Sequence, residues 1–326
     1  MKKIVLRSLL VLAILLVVIL AGGYLYLSKA LPDIEAPEDL TVEITPERLE
    51  RGEYLAHHVA LCMDCHSVRD WDKFGAPPKP GTLGGGGELF NREMGIPGVF
   101  YATNITPAAI GDWTDGELFR AITSGVSRDG RALFPIMPYK YYGKMDREDV
   151  YSIIAYIRSL DPIDAEYPEP EFDFPMSLII NTIPAEPDFH PIPDPKNKVA
   201  YGRYLAGACM ECHTPFENGQ PNFEKAFQGG TMFPLPKGGK VISTNITPDK
   251  ETGIGNWTEE QFVQKFRQYT DSNYVSAFHG PNEFNSIMPW TMFAGMKEGD
   301  LSAIYAYLMS LDPVENQTER FIPDSE

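Results

Sequence analysis

The sequence CMDCH at residues 62–66 recurs as CMECH at residues 209–213, and these two segments contain all four cysteines of the 326-residue chain. Two cysteines separated by two residues and followed by histidine are the attachment signature of a c-type haem. In that chemistry the thiols add to the two vinyl groups of the porphyrin, and the histidine becomes an axial ligand of the iron. The side chains predicted to hold two covalent haems are Cys62, Cys65, His66, Cys209, Cys212 and His213.

A zinc site made from both cysteine pairs is the main alternative, because zinc also binds cysteines with this spacing. Four thiolates complete a tetrahedral zinc site, so the histidine after each pair would have no role there. The two pairs also lie about 147 residues apart, each inside its own copy of a repeat. A disulfide within each pair is the remaining alternative. The pattern favours haem over both.

The repeat extends well beyond the two cysteine motifs. Five further landmarks keep their order in both copies, with loop insertions between them. They are RGEYLA (51–56) and YGRYLA (201–206), TNITP (103–107 and 244–248), WT (113–114 and 257–258), IMP (136–138 and 287–289), and AYIRSLDP (155–162) and AYLMSLDP (306–313). Such a pattern predicts a duplicated unit of about 115 residues, an ordinary domain size. The predicted organisation is an N-terminal anchor (1–30), a tether (31–48), a first half (49–163), a linker (164–197), a second half (198–314) and a tail (315–326).

The N-terminus predicts a membrane anchor. An apolar run from Leu9 to Leu27 follows Lys2, Lys3 and Arg7, and this run is long enough to cross a bilayer as a helix. Basic residues before the run place the N-terminus in the cytoplasm. The prediction is a single uncleaved helix in a bacterial inner membrane with the haem units on the periplasmic side. Cleavage after residues 28–30 as a signal peptide is the alternative.

The linker and the tail have distinct compositions. The stretch 162–197 contains nine prolines and is expected to be mostly extended, because proline fixes φ and lacks an amide donor. Within it, the apolar segment 174–180 is expected to form a short helix that packs across both halves. The polar tail is expected to be mobile.

Each half is expected to be mainly α-helical. Apolar residues at Val150, Ile153, Ile154 and Ile157 follow helical spacing, and the second copy repeats this stripe. The Asp-Pro pairs at 161–162 and 312–313 end these helices, because residues before proline avoid the α region. A first helix is expected to begin near Arg51. In each half, a glycine of the first helix is predicted to allow a close crossing with the last helix, and a tyrosine of the last helix is predicted to cover that glycine. The pairs are Gly52 with Tyr156 and Gly202 with Tyr307.

Methionines are the candidates for the sixth iron ligand. Met137 and Met288 occupy equivalent Met-Pro positions upstream of the last helices, and a thioether ligand raises the reduction potential of a haem. The second aligned pair, Met145 and Met296, is an alternative, although methionine before a helix more often fills gaps in a core. His279, in an insertion of the second half, is a further alternative ligand there.

The remaining histidines, asparagines and tryptophans near the motifs are expected to have supporting roles. His57 and His58 are expected to face solvent. Asn104 and Asn245 are expected to orient the haem propionates or the ligand loops, as are Trp113 and Trp257, whose indole N–H groups are hydrogen-bond donors. The tryptophans are equally compatible with a purely structural role in the core.

These motifs in this order resemble the class I cytochrome c fold. The similarity extends to the membrane-bound multihaem cytochrome c subunits of bacterial alcohol, aldehyde and gluconate dehydrogenases, especially at NITPDKETGIGNW (245–257), at CHTP (212–215) and at the Phe174-Pro175 linker. The resemblance covers nearly the whole chain from Arg51 to Pro313 and implies two tandem cytochrome c domains after a transmembrane helix. Those subunits usually carry three haem motifs, whereas this chain carries two.

The predicted function is single-electron transfer rather than catalysis. Two six-coordinate haems leave no open site for a substrate, so the predicted donor is a periplasmic dehydrogenase or a quinol-oxidising complex, and the predicted acceptor is a terminal oxidase or a soluble cytochrome. The formal charge of −17 excludes nucleic acid as a partner. A dihaem peroxidase-type enzyme, which needs a five-coordinate iron, and a haem-based sensor are the alternatives.

Overall fold

The computed structural model describes residues 2–217, 220–270 and 274–325. Over these residues the protein is mostly helical, and the expectation of a mainly α fold is confirmed to that extent. The α-helices are Lys2–Leu25 (α1), Pro46–Tyr54 (α2), Cys62–Cys65 (α3), Pro107–Ile110 (α4), Asp115–Ser124 (α5), Tyr139–Tyr142 (α6), Arg147–Arg158 (α7), Met176–Ile179 (α8), Lys198–Leu205 (α9), Gly207–His213 (α10), Glu259–Arg267 (α11), Trp290–Phe293 (α12) and Glu298–Leu308 (α13).

Short strands occupy the long loops, where the sequence showed no strong strand pattern. They are Leu89–Phe90 (β1), Gly98–Tyr101 (β2), Glu171–Phe172 (β3), Phe216–Glu217 (β4), Gln220–Pro221 (β5), Met232–Pro234 (β6), Lys240–Ile242 (β7) and Phe321–Ile322 (β8). All pair antiparallel, in the orders β1-β2-β3, β4-β5 and β6-β7-β8. Each three-stranded sheet therefore draws its last strand from a segment that follows a terminal helix.

The first helix of the first half begins at Pro46 rather than near Arg51. Thr45 is its N-cap and accepts a hydrogen bond from the amide of Arg48, and Pro46 occupies the first helical position. Both residues are favoured at helix starts because the first amides of a helix have no intrahelical acceptor. The terminal helices α7 and α13 lie where the apolar stripes predicted them.

Close helix crossing defines the frame of each half. A Cβ at Gly52 would overlap the backbone carbonyl of Ser152 and would also crowd Tyr156, so α2 and α7 cross with backbone almost in contact. A Cβ at Gly202 would overlap the carbonyl of Ala303 in the same way. The predicted crossings therefore form. At Gly202 the partner is helix backbone rather than the ring of Tyr307.

A single apolar core runs through both halves. It includes Leu55, Met145 and Ile154 from the first half and Leu205 and Met296 from the second, all almost fully buried. Because burial of apolar surface is the main stabilising term in folding, this shared core stabilises the association of the two halves as well as each half.

The linker and the tail are both fixed by contacts. The predicted helix within 174–180 forms as α8, but its main contacts are with the end of α1 and with β3, rather than across the two halves. The tail is not free: Phe321–Ile322 pairs with β7, and Asn316 donates to the carbonyl of Gln228 at 2.8 Å. The expectation of a mobile tail was wrong, because its apolar pair completes a sheet.

Helix α1 continues through a π-helical turn, Tyr26–Ala30, and all of its side chains are exposed apart from partial cover at Leu27 and Ser28. Among the described residues it is the one helix whose length and apolar composition suit a membrane span.

Candidate haem-attachment sites

The first cysteine motif forms a single helical turn that ends at a fixed histidine. Leu61 precedes α3 in a left-handed conformation, and His66 follows Cys65 directly. The Nδ1 atom of His66 lies 2.7 Å from the carbonyl oxygen of Thr103, the first residue of the TNITP landmark. A carbonyl oxygen only accepts, so Nδ1 carries the proton and Nε2 keeps the lone pair that a metal needs.

The second motif repeats this arrangement. It lies at the end of α10, and Nδ1 of His213 is 2.7 Å from the carbonyl oxygen of Thr244, which is the equivalent residue of the second TNITP landmark. Burial lowers the pKa of both His66 and His213, so each ring is neutral at neutral pH. A neutral ring whose other nitrogen is fixed by a backbone acceptor is the usual state of a metal-binding histidine.

All four thiols are free, and Cys62 and Cys209 pack against the edge of the apolar core. Cys212 is exposed, and the other three are partly exposed. Burial nevertheless raises the pKa of Cys62, Cys209 and Cys212 to about 12, and it raises that of Cys65 as well. Thiols that are surrounded by protein and still partly accessible suit attachment to a flat porphyrin that packs against the protein. The fit to a covalent porphyrin is therefore good.

The four-thiolate zinc alternative is not supported. Within the residues that the structure describes, no three His, Cys, Asp or Glu side chains come together as a metal-binding group. The two cysteine pairs are therefore not arranged around a common centre.

The two motifs nevertheless lie close to each other at the contact between the halves, where Tyr142 bonds to the carbonyl of Ala60 and Tyr141 to that of Tyr204. Burial raises the pKa of Tyr142, and the thiolate forms of Cys62 and Cys65 together with the carboxylate of Glu211 raise it further. Asp64, inside the first motif, likewise adds to the rise in the pKa of Cys212. Asp64 of the first motif and Cys212 of the second are thus close enough to interact electrostatically, so the two segments are close neighbours.

The two Met-Pro segments adopt the same turn. The amide of Tyr139 donates to the carbonyl of Met137 at 2.8 Å, and the amide of Trp290 donates to the carbonyl of Met288 at 2.8 Å. The proline between them has φ −80° and ψ 53° in the first half and φ −78° and ψ 69° in the second. These are inverse γ-turns. Both methionines are partly buried against the apolar core and keep some surface free.

The alternative methionines have a different environment. Met145 and Met296 are each only 1% exposed and belong to the largest fully buried side chains. Their surroundings fit the role of core filling that methionine often has. His279, the alternative ligand of the second half, lies against the first half, with its amide bonded to the carbonyl of Asp72 at 2.9 Å and its ring beside Phe74.

The two asparagines bind protein rather than an inserted group. The side-chain amide of Asn104 donates to the carbonyl of Ile163 at 2.7 Å, and its oxygen accepts from Thr106. Asn245 donates to the carbonyl of Val314 at 2.7 Å in the same way. Each asparagine therefore ties the segment after the last helix to the TNITP loop, whose threonine carbonyl binds the histidine of the cysteine motif. A role toward the propionates is not supported, because these amides are already used.

His57 and His58 are not solvent-facing, contrary to expectation. They lie in a π-helical turn, Leu55–Val59, where Nε2 of His57 is 2.7 Å from the hydroxyl of Tyr156 and Nδ1 of His58 is 2.6 Å from the carbonyl of Met292. Both line an open cleft of about 460 Å³ between the halves. The first half has three more residues than the second between its helix glycine and its first cysteine, and the π-turn lies within that longer stretch.

Comparisons with known proteins find similar sequences among cytochrome c subunits. The chain is 28% identical to the cytochrome c subunit of a quinone alcohol dehydrogenase from Gluconacetobacter polyoxogenes, over 82% of this chain and 56% of that protein. It is 28% identical to the gluconate 2-dehydrogenase cytochrome c subunit of Pantoea cypripedii, over 85% of this chain and 63% of that protein. The chain is a relative of dehydrogenase cytochrome c subunits. The resemblance drawn from its motifs is thus confirmed.

A third relative matches along its whole length. A dihaem cytochrome c-type protein from Cereibacter sphaeroides is 29% identical over 92% of this chain and 97% of that protein. By contrast, the chain spans a little over half the length of the dehydrogenase subunits that it matches. No protein-family model matches the chain.

Proposed function

We propose that this protein is a membrane-anchored dihaem cytochrome c that carries single electrons. Cys62 and Cys65 attach one haem in the first half, 49–163, and Cys209 and Cys212 attach the other in the second half, 198–314. The observation that carries the proposal is the pair of histidines, His66 and His213, each with Nδ1 bound to a threonine carbonyl at 2.7 Å. Both copies of the repeat keep this hydrogen bond, which leaves Nε2 of each histidine free to bind a metal.

Met137 and Met288 are the proposed ligands on the opposite faces. The matched inverse γ-turns support this assignment, because each fixes the methionine backbone while leaving part of the side chain free. An iron held between imidazole and thioether exchanges one electron without losing a ligand. The chain's own contribution is to hold those ligands, cover the porphyrin edges and keep both histidines neutral.

Electron transfer between the two sites is supported by their proximity. Tyr142 donates a hydrogen bond to the carbonyl of Ala60, just before the first motif, and its neighbour Tyr141 donates to the carbonyl of Tyr204 at 3.0 Å, just before the second. The shared core packs the two halves against each other. We infer that an electron entering at one site can pass to the other within the same chain.

A dehydrogenase is the proposed donor, since the names of the relatives place them in alcohol and gluconate dehydrogenases. A quinol-oxidising complex is the alternative donor, and a terminal oxidase or soluble cytochrome is the proposed acceptor. The net charge of −17 favours a basic docking surface on either partner. We also propose that α1 anchors the chain in a bacterial inner membrane, with the cytochrome domains on the periplasmic side.

The test is the mass of the purified full-length protein, which should exceed that of the polypeptide by two haems. Replacing Cys62 and Cys65 together by alanine should remove one haem, and replacing Cys209 and Cys212 should remove the other. A redox titration of the wild type should show two one-electron steps. A polypeptide without haem, or high-spin iron with peroxide turnover, would contradict the proposal.

A further inference from the structure

We propose that the linker segment 174–183 lies in the interfacial layer of the membrane that α1 crosses. The inference rests on the proposed membrane anchorage and adds a second contact between the protein and the lipid. It concerns α8 and the 3₁₀ turn Ile180–Thr182 that follows it.

The segment is fixed at the outer end of the membrane helix. The side-chain amide of Asn181 donates to the carbonyl oxygen of Leu27 at 2.9 Å, and the last carbonyls of a helix have no intrahelical donor of their own. Leu27 ends the apolar run that begins at Leu9, which spans about 28 Å at 1.5 Å per residue. That length matches the hydrocarbon core of about 30 Å, so the Leu27 carbonyl marks its boundary.

Neighbouring residues of the segment are therefore held near the same depth. Ile179 is two residues from Asn181, so their Cα atoms lie within about 7 Å of each other. Phe174 is slightly more than one helical turn before Ile179. Hydrogen bonds from the amide of Ser177 to Asp173 and from that of Ile179 to Pro175 close the turn between them.

Apolar side chains of this segment face outward although the backbone is held firmly. Phe174 is 81% exposed and Ile179 is 43% exposed. The backbone just before Phe174 pairs with β2, and Asp173 forms an ion pair with Arg92 at 2.6 Å. Phe174, just before α8, and Ile179, at its end, are apolar side chains of the kind that an interfacial segment buries in lipid.

The charge around this segment is compatible with lipid headgroups. Lys29 is exposed at the end of α1, where a cation meets the phosphates of the headgroup layer. With α1 and the linker both in contact with the membrane, the first half would be held in one orientation above the bilayer.

Lipid photolabelling of the haem-loaded, full-length protein tests the proposal. The protein is placed in nanodiscs of phosphatidylcholine in which a fraction of the acyl chains carries a diazirine. After illumination and digestion, mass spectrometry locates the labelled peptides. The expected result is label in α1 and in 174–183, with several-fold less label in the peptide around Phe278. Phe278 is the matched control because it is 77% exposed and lies in the second half.

The outcomes separate this inference from the anchorage. Label in α1 without label in 174–183 overturns the inference and leaves the anchor intact. No label in either segment overturns both. Equal label around Phe278 also overturns the inference, because labelling then reflects exposure alone. The double substitution Phe174→Ser and Ile179→Ser should reduce label in 174–183 several-fold without changing the label in α1.

A second inference concerns a buried arginine between the two cysteine motifs. The Arg69 side chain is only 9% exposed, and its Nη1 lies 3.6 Å from Asp64 inside the first motif. Its Nη2 donates to the carbonyl of Ile287 in the second half at 3.1 Å. The guanidinium also stacks on Trp71 at 4.6 Å. Arginine suits such a site because its planar fork donates several hydrogen bonds at once.

From these contacts we infer that Arg69 is a positioning residue for Met288, the proposed iron ligand of the second half. The carbonyl that it holds belongs to the residue just before Met288. The same loop of the first half is locked to the second by the amide of Gly75, which donates to Asn285 at 3.0 Å. The first half therefore positions the ligand loop of the second, and no corresponding arginine follows the second motif, where Pro215 and Phe216 come after Thr214.

The test follows the methionine-to-iron charge-transfer band of the full-length protein during denaturant titration. In Arg69→Gln, half of the band should disappear at a lower denaturant concentration than in the wild type, while the other half is unchanged. In Arg69→Lys, half of the band should disappear at an intermediate denaturant concentration, because lysine keeps the positive charge and lacks the planar guanidinium that donates several hydrogen bonds at once. Arg92→Gln, at an exposed ion pair, should behave as wild type. Haem mass confirms that each variant carries both groups.

Loss of the whole band at the wild-type denaturant concentration in Arg69→Gln overturns this inference. The proposed ligand itself is checked separately with Met288→Leu. If that variant loses half of the band while Arg69→Gln behaves as wild type, the ligand assignment stands and the positioning role does not.

Discussion

The hydroxyl of Tyr54 in the first half donates to Asp300 in the second at 2.6 Å, and the equivalent Tyr204 donates to Asp149 in the first at the same distance. Each tyrosine hydroxyl also accepts a hydrogen bond from a backbone amide at the start of the terminal helix of the other half. The amide of Lys297 donates to Tyr54 at 3.0 Å, and that of Asp146 donates to Tyr204 at 3.1 Å. The first helix of each half thus binds the last helix of the other. The two contacts are reciprocal, as they are in a symmetric dimer.

These exchanged hydrogen bonds should contribute directly to stability. We expect Tyr54→Phe and Tyr204→Phe each to lower the free energy of unfolding by about 1–3 kcal/mol, because each leaves a buried carboxylate without one of its donors. Thermal unfolding followed by circular dichroism measures the loss. Limited proteolysis of the linker 184–197 should also become faster, since the halves are held less tightly.

Tyr305→Phe is the matched control for these tyrosine variants. Its hydroxyl bonds to the carbonyl of Trp257 within the second half. It should lower stability slightly without changing the rate of linker cleavage. Equal acceleration of cleavage in all three variants would show that the exchanged contacts do not join the halves.

The helix-crossing glycines give a sharper prediction. Gly52→Ala and Gly202→Ala should each destabilise the protein by about 3 kcal/mol, because the new methyl group overlaps a carbonyl of the crossing helix. Gly299→Ala in α13 is the control, since nothing lies within 4 Å of its Cβ position. That variant should gain about 0.5–1 kcal/mol from helix propensity. Chemical denaturation of all three proteins decides the matter, and equal effects at Gly52 and Gly299 would contradict the close crossing.

Local patterns in the sequence predicted the features that depend on local chemistry. The cysteine motifs, the terminal helices and the glycines of the crossings follow from spacing, from proline stops and from the need for close backbone approach. The equivalence of the two Met-Pro segments was also visible, and both form the same turn.

The contacts between the halves were not predictable in the same way. Nothing in the spacing of Tyr54 or Asp149 indicates that each contacts the opposite copy. A repeat shows which residues are equivalent, but it does not show whether they bind within their own copy or across to the other. Asn104 was given a role toward an inserted group, although its partner is a backbone carbonyl that the sequence does not mark. The edge strand at 321–322 likewise depends on long-range pairing with β7 rather than on local propensity.

The choice between the two aligned methionine pairs can be decided by spectroscopy. Met137→Leu should remove half of the methionine-to-iron charge-transfer band, because leucine offers no sulfur. Met145→Leu conserves volume in a fully buried site and should keep the whole band at a cost below about 1.5 kcal/mol. The reverse pattern would assign the ligand to Met145 and would turn Met137 into an ordinary loop residue.

Acid should weaken the contact between the halves through His57 and His58. Burial lowers the pKa of both rings from the ordinary value of 6.5, the charge of His58 lowers that of His57 further, and Glu53 opposes the shift. Glu47, Glu50, Arg51 and Lys297 line the same cleft. Since the folded protein binds these protons less readily than the unfolded chain, stability is unaffected well above pH 6.5. It falls as the pH drops from that value through the lower folded pKa.

The measurement is the free energy of unfolding of the wild type and of the double substitution His57→Gln and His58→Gln at a series of pH values. Linkage limits the contribution of each histidine to about 1.4 kcal/mol per pH unit, and the double variant should lose stability less steeply below pH 6.5. His190→Gln, at an exposed histidine, should follow the wild-type curve. Parallel curves for all three proteins would mean that carboxyl groups elsewhere govern the acid sensitivity. The protonation of the cleft histidines would then have no influence on how the two halves hold together.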